Sequence, residues 1–190
     1  MRQGVKYHRP MRNLSLATIL FTLTLACGPP THTQQPGWYS HQPIRIVVDN
    51  NVPATYKRSD ILTTATERLR QFGLTIDAAT TSRDVFVEAS ACDCKECEGF
   101  TSYVLSSDFT RIHLCPPLAT LCSWVGYPRC IQMTIGHELC HVLGLVGHAG
   151  LGQGDLCSAS TAEHGNVDAY SANDIDKVCA AGMVGTGACY

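Results

Sequence analysis

The chain has 190 residues, of which 45% are hydrophobic and 16% charged, enough apolar side chain for one domain with a real core. Net charge is −2, but four of the 14 Lys+Arg (Arg2, Lys6, Arg9, Arg12) lie in the first 26 residues, which hold no acid. Without that segment ten basic residues face 16 acidic ones, a balance of −6 that argues against a nucleic-acid partner.

The basic residues precede an apolar run from Leu14 to Ala26, the pattern of an export signal. At 13 residues the run is too short for an ordinary membrane span. Met11 is a second candidate start, because Met-Arg-Asn before the run already forms a basic n-region. The end of the run, Leu23-Thr24-Leu25-Ala26-Cys27, resembles a bacterial lipobox, with Ala26 before the cleaved bond. Residues 1–26 are therefore expected to be a signal peptide, and Cys27 the lipidated first residue of a cell-envelope lipoprotein held to the membrane only by that anchor. Ordinary secretion with cleavage nearby is the alternative. Eleven cysteines agree with export. Setting Cys27 aside leaves ten, an even number that can close five disulfides in an oxidising compartment, with a pairing that sequence cannot deduce.

Residues 27–41 hold this cysteine and a stretch rich in Pro, Gly, Thr, Gln and His, expected as a flexible tether. Its His32 and His41 read as solvated linker histidines. Residues 42–190 then form a single domain. Ile44 to Val48 reads as a first, buried strand, broken by Asp49 to Pro53. Ser59 is the expected N-cap of a helix with Asp60 in its first turn. Ile61, Leu62, Ala65, Leu69 and Phe72 recur at helical spacing, Gly73 closes the helix, and Arg68 and Arg70 are expected on its solvated face. Asp84 to Ala89 alternates as a second strand. Cys92, Cys94 and Cys97 follow within six residues. No second cluster completes a four-thiolate site, so a disulfide-stapled loop is expected rather than a small metal site or redox pair. Ser102 to Ser106 and Thr110 to Leu114 read as further strands around a hairpin turn at Ser107-Asp108-Phe109. Leu118 to Arg129 is expected as a loop. Its Trp124 either lines a cleft or packs over the sheet edge.

From about Ile131 to Leu143 the chain reads as an apolar helix carrying His137-Glu138-Leu139-Cys140-His141, the pattern H-E-x-x-H. At i and i+4 the two imidazoles share a helix face and reach one ion. Zinc accepts such nitrogens and needs further ligands. Glu138 lies where its carboxylate reaches a water on the metal, which makes it a candidate general base. Charged and polar groups of this kind are costly inside an apolar helix unless partnered. Gly144 permits a sharp stop. The third ligand has three candidates. His148 lies just beyond a turn bracketed by Gly144 and Gly147, and is expected to serve. Asp155 is the runner-up, and His164 lies further off. Beyond a glycine-rich stretch, Ser171 to Asp174 fits a capping box for a last helix with Ile175, Val178 and Cys179 on one face. Tyr170 before it is either an extra donor to a reacting carbonyl or a packed aromatic.

This arrangement resembles the metzincin zinc peptidases, of the matrixin or astacin kind, whose motif is H-E-x-x-H-x-x-G-x-x-H. The first eight positions match through Gly144. Gly147 holds the position of the family's last histidine and His148 follows it. No Met lies between His148 and Met183 to supply the family's methionine turn. Tyr170 to Ile175 is similar to the segment that opens the family's final helix. The resemblance implies an α+β fold: a twisted mixed β-sheet, a backing helix, an active-site helix and a small irregular C-terminal subdomain ending in a helix, all disulfide-stapled. It implies Zn2+ on His137, His141 and His148, with Glu138 as the catalytic base of an exported endopeptidase. A protein or peptide substrate is expected to lie along an edge strand, Thr110 to Leu114. A monomer is expected. Two other readings stand beside it. One is a non-catalytic surface lipoprotein with a structural zinc and a protein-binding role. The other is a metal-free disulfide domain.

Overall fold

The computed structural model describes residues 43–79, 83–92, 99–103, 109–148, 155–158, 168–181 and 189. The expected signal peptide, Cys27, the tether, Cys94, Cys97, Ser107, Asp108 and His164 lie outside the described residues. In chain order the elements are β1 (Ile44–Val48), α1 (Arg58–Arg70), β2 (Ile76–Ala78), β3 (Val85–Ala89), β4 (Gly99–Tyr103), β5 (Thr110–Leu114), α2 (Pro117–Val125), α3 (Arg129–Val142) and α4 (Ala172–Ala180). The class is α+β. One five-stranded sheet has the order β2-β1-β3-β5-β4. Its first four strands are parallel, and β4 runs antiparallel to β5 with Gly99 opposite Leu114 and Tyr103 opposite Thr110. The sheet is therefore mixed.

Alternation along the strands sends Ile44, Ile46, Val48, Val85, Val87, Ile112 and Leu114 to one face. There they form one core with Ile61, Ala65 and Leu69 of α1 and Ile131, Ile135, Leu139 and Val142 of α3. The other face is polar and aromatic. Arg45 pairs with Asp84 at 2.7 Å, and Arg83 lies over the rings of Phe86 and Phe109. Arg111 donates to both carboxylate oxygens of Glu88, at 3.0 and 3.1 Å. His113 sits between Ser90 Oγ (2.9 Å from Nδ1), Glu88 Oε1 (3.1 Å from Nδ1) and Ser102 Oγ (2.7 Å from Nε2).

Both long helices stop in the same way. Gly73 (φ 72°) and Gly144 (φ 99°) adopt the left-handed conformation after α1 and α3. Leu74 N–H then donates to Leu69 O and Gly73 N–H to Arg70 O, while Leu145 N–H donates to Cys140 O and Gly144 N–H to His141 O. These are the paired bonds of a Schellman motif, which glycine permits without a Cβ clash. α4 starts on the expected capping box: Ser171 Oγ accepts from Asp174 N–H, and the Asp174 carboxylate accepts from Ser171 N–H.

Several expectations differ from the structure. Helix α1 begins at Arg58 behind Lys57 (φ 44°), with no side-chain cap, so Ser59 is not its N-cap. Arg68 is not solvated. It lies seven residues after Ile61, on the inner face, 1% exposed, and its guanidinium donates to Asp168 O. Pro117 at the first turn opens α2 where a loop was expected, because its fixed φ suits a helix start and Leu118, Leu121 and Cys122 then bury one stripe. β4 begins three residues earlier than expected. β2 has only three residues and one large apolar side chain, so pairing with β1, not local pattern, makes it a strand. Thr110–Leu114 is not an edge. β3 pairs with it on one side and β4 on the other, and among the described residues the edges are β2 and β4.

Among the described residues, disulfides join Cys92 to Cys115, Cys122 to Cys130, Cys140 to Cys157 and Cys179 to Cys189. Among the described residues no helix is long and apolar enough to cross a membrane.

The polar face titrates. Burial holds His113 below its ordinary value of 6.5, Glu88 opposes that shift, and Arg111 adds to it. The unfolded chain thus binds this proton at higher pH than the folded one. Its contribution to stability is complete above about pH 6.5 and is lost as pH falls through the folded value. His113→Gln should flatten the fall in urea midpoint between about pH 6.5 and 5 relative to the parent chain. An unchanged slope would mean that other groups govern this range.

Candidate metal centre

Helix α3 is buried along most of its length, and His137, Glu138 and His141 are 1%, 1% and 4% exposed. One helical turn separates the two histidines, whose rings sit 5.1 Å apart. After the stop at Gly144, Gly147 (φ 71°) turns the chain back and returns His148 to the helix. His148 Nε2 lies 3.2 Å from His137 Nε2 and 3.2 Å from His141 Nε2. These are the three residues among the described ones whose ligand atoms converge as a possible metal site. Of the two candidates among the described residues, His148 and Asp155, the structure brings His148 to the pair.

Each helical imidazole is oriented by its other nitrogen. His137 Nδ1 donates to Leu156 O at 3.1 Å, and His141 Nδ1 donates to Leu145 O at 2.8 Å. A carbonyl accepts only, so the proton of each neutral ring is on Nδ1 and the lone pair on Nε2 faces the cluster. Burial pushes the pKa of His141 down, opposed by its bond to Leu145, and so favours the neutral ring. His148 Nε2 carries at most one proton and stands equally close to two acceptors. One N–H shared between both makes only a three-centre bond weaker than two full ones, whereas a cation can take a lone pair from each of the three rings. Tetrahedral zinc with bonds of about 2.0–2.1 Å separates its nitrogens by about 3.3 Å, close to the 3.2 Å found here. The donor set therefore fits a metal ion.

A turn at Asp155–Ser158, closed by Ser158 N–H to Asp155 O, packs beneath α3. Leu156 and Cys157 are fully buried. A Cβ on Gly136 would lie 2.7 Å from Leu156 Cδ2, so the helix admits the turn at a glycine. Asp174, also fully buried, accepts from Leu156 N–H and Cys157 N–H, both at 2.9 Å, from the first turn of α4. Cys157 is bonded to Cys140, inside the H-E-x-x-H segment. A continuous chain of contacts thus runs from α4 through this turn to His137. Asp155 accepts from Ser171 Oγ and Asn173 Nδ2, both at 2.6 Å, and points to the start of α4. Tyr170 is a packed aromatic: its hydroxyl donates to Gly136 O at 2.7 Å, its ring meets Phe72, and burial pushes its pKa up. Trp124 neither lines this site nor packs on the sheet edge but stands 81% exposed on α2.

Glu138 turns toward the sheet. Its Oε2 accepts from Thr101 Oγ1 at 2.6 Å on β4. A Cβ on Gly99 would lie 2.7 Å from Glu138 Oε1, so strand and carboxylate meet only because Gly99 has no side chain. Sequence alone did not reveal Gly99, Thr101, Leu156 or the clamping role of Asp174. Gly99 precedes the expected strand Ser102–Ser106 by three residues, so no local signal marked its close approach to Glu138.

No family model matches this chain, and neither a curated protein nor a solved structure does.

Two outcomes follow from these contacts. His148→Ala should lower metal affinity strongly, read by equilibrium competition with a chromogenic chelator, whereas Asp155→Asn should keep full metal content. Asp174→Asn, which touches no ligand, should weaken metal binding about 10–100-fold through the turn that orients His137, while far-UV circular dichroism stays unchanged. Full affinity in that variant would mean that the turn holds its place without the carboxylate.

Proposed function

We propose that this chain is an exported zinc endopeptidase of metzincin type, with His137, His141 and His148 as zinc ligands and Glu138 as general base. The observation that carries the reading is the position of Glu138. It stands beside His137 in the buried helix but outside the converging ligand group, with its carboxylate against the free-edge strand β4. A structural metal would have no use for a costly buried carboxylate at that point.

Zinc, when bound, lowers the pKa of the attacking water and polarises the peptide carbonyl. The chain's own residues do the rest. Glu138 takes the proton of the water on its carboxylate and returns it to the leaving nitrogen. Thr101 donates to Oε2 and fixes the plane of that carboxylate. β4 has one partner in the sheet, so its other edge can hold an extended peptide by main-chain bonds. This moves the proposed substrate strand from Thr110–Leu114 to Gly99–Tyr103. The turn at Asp155–Ser158 supports the ligand helix from below, the role the resemblance gives to a methionine turn. The wider turn through Gly147 absorbs the one-residue displacement of His148. The disulfides are consistent with export. The lipid on Cys27 remains part of this proposal.

Glu138→Ala should abolish cleavage in a peptide library, a loss of at least about 10²–10⁴ in kcat, while bound zinc stays at wild-type stoichiometry. Zinc lost together with activity would make Glu138 a ligand. Zinc retained with no cleavage by the parent chain would favour the structural-metal lipoprotein instead.

A further inference from the structure

Among the described residues the exposed large hydrophobic side chains are Trp124, Val125, Tyr127 and Val146, and three of these four fall within the segment closed by the Cys122–Cys130 disulfide. Trp124 is 81% exposed. The segment is built to hold it there. Cys122 and Cys130 are buried at its two ends, and Tyr127 stacks on Tyr56 with ring centroids 5.9 Å apart. At its tip, Gly126 (φ 82°) turns the chain in open space, since a Cβ placed there would meet nothing within 4 Å. The result is a rigid convex knob rather than a groove. Its charge is distinctive in a chain that is otherwise acidic. No Asp or Glu occurs between Asp108 and Glu138, and Arg129 lies exposed at the base of the knob.

We propose that this knob seats in the surface of a lipid bilayer, with the Trp124 and Tyr127 rings at the headgroup level and Val125 beneath them. Tryptophan, tyrosine and a cation beside a small apolar group are what the interface selects. The segment itself brings no carboxylate to the membrane face, so it adds no repulsion at anionic headgroups. The disulfide pre-pays the ordering of the loop, so little freedom is lost on contact. A convex tip also suits a fluid surface better than a protein partner, which would need a matching pocket. The knob is separate from the metal centre: Arg129 and His137 are eight residues apart on α3, about 12 Å along its axis. The proposal is independent of the peptidase reading.

The test uses the full chain carrying Trp38→Phe, which leaves Trp124 as its single indole, added to vesicles of equal parts phosphatidylcholine and phosphatidylglycerol with brominated acyl chains. Trp124 emission should shift to the blue and fall by roughly half or more, as for an indole at the headgroup–acyl boundary. Adding Val125→Asp, at a solvent-exposed position, should restore the unquenched, red emission. Three results would overturn the proposal: Trp124 emission that the vesicles leave unquenched, a blue shift without bromine quenching (contact with a second copy of the chain), or quenching that Val125→Asp leaves unchanged.

Discussion

Three imidazole nitrogens that converge on one point, two of them with their lone pairs inward, set the terms for much of this domain. Such an arrangement is unfavourable for bare rings and survives only if each ring is held from behind. For His137 and His141 that hold is a main-chain carbonyl, and neither carbonyl belongs to the ligand's own helical turn. Leu145 presents its oxygen because the helix ends in a Schellman motif at Gly144. Leu156 presents its oxygen because a turn far along the chain is clamped by Asp174 and bonded through Cys157 to Cys140. A helix stop, a distant turn and the first residues of α4 are thus all consequences of one requirement, that Nε2 and not Nδ1 carry the lone pair.

Glu138 poses a second requirement, since a fully buried carboxylate needs a donor. Thr101 supplies it from β4, which among the described residues has one sheet partner, and this ties helix α3 to the strand proposed to hold the peptide. Gly99 makes the approach possible, because any larger side chain there would occupy the space of the carboxylate and of Thr134. If peptides bind along β4, strand and base move as one unit, and displacement of either alters both binding and proton transfer.

Much of the site was legible in the sequence because it rests on local spacing. The i, i+4 histidines, the glycine stop and the return of His148 all lie within twelve residues, and the capping box at Ser171–Asp174 is equally local. What was not legible depends on chain segments that meet only in three dimensions. The antiparallel entry of β4 at the sheet edge cannot be read from its composition, so Thr110–Leu114 seemed as good an edge as any. Arg68 looked solvated because arginine is rarely buried, yet its position repeats the apolar stripe of α1 and its guanidinium finds a carbonyl 100 residues away. Asp174 was visible as a cap, but its bonds to the Leu156–Cys157 turn required the turn itself.

The placement of the disulfides follows from the same division between regular and irregular chain. Cys115, Cys130, Cys140 and Cys179 lie in or directly after ordered elements, and Cys140 and Cys179 reach toward the irregular C-terminal part. Their loops are short, with separations of 8 to 23 residues, so each restrains the unfolded chain modestly, by roughly 2.5–3.5 kcal/mol. Their larger effect is local. The turn at Asp155–Ser158 has no strand ladder or helix to order it, and without Cys140–Cys157 the cost of fixing it would fall on the metal-binding step. With the bond in place the carbonyl behind His137 is positioned before any ion arrives. The turn at Asp155–Ser158 can therefore do without a ladder or helix of its own and still present one oxygen where the ligand helix needs it.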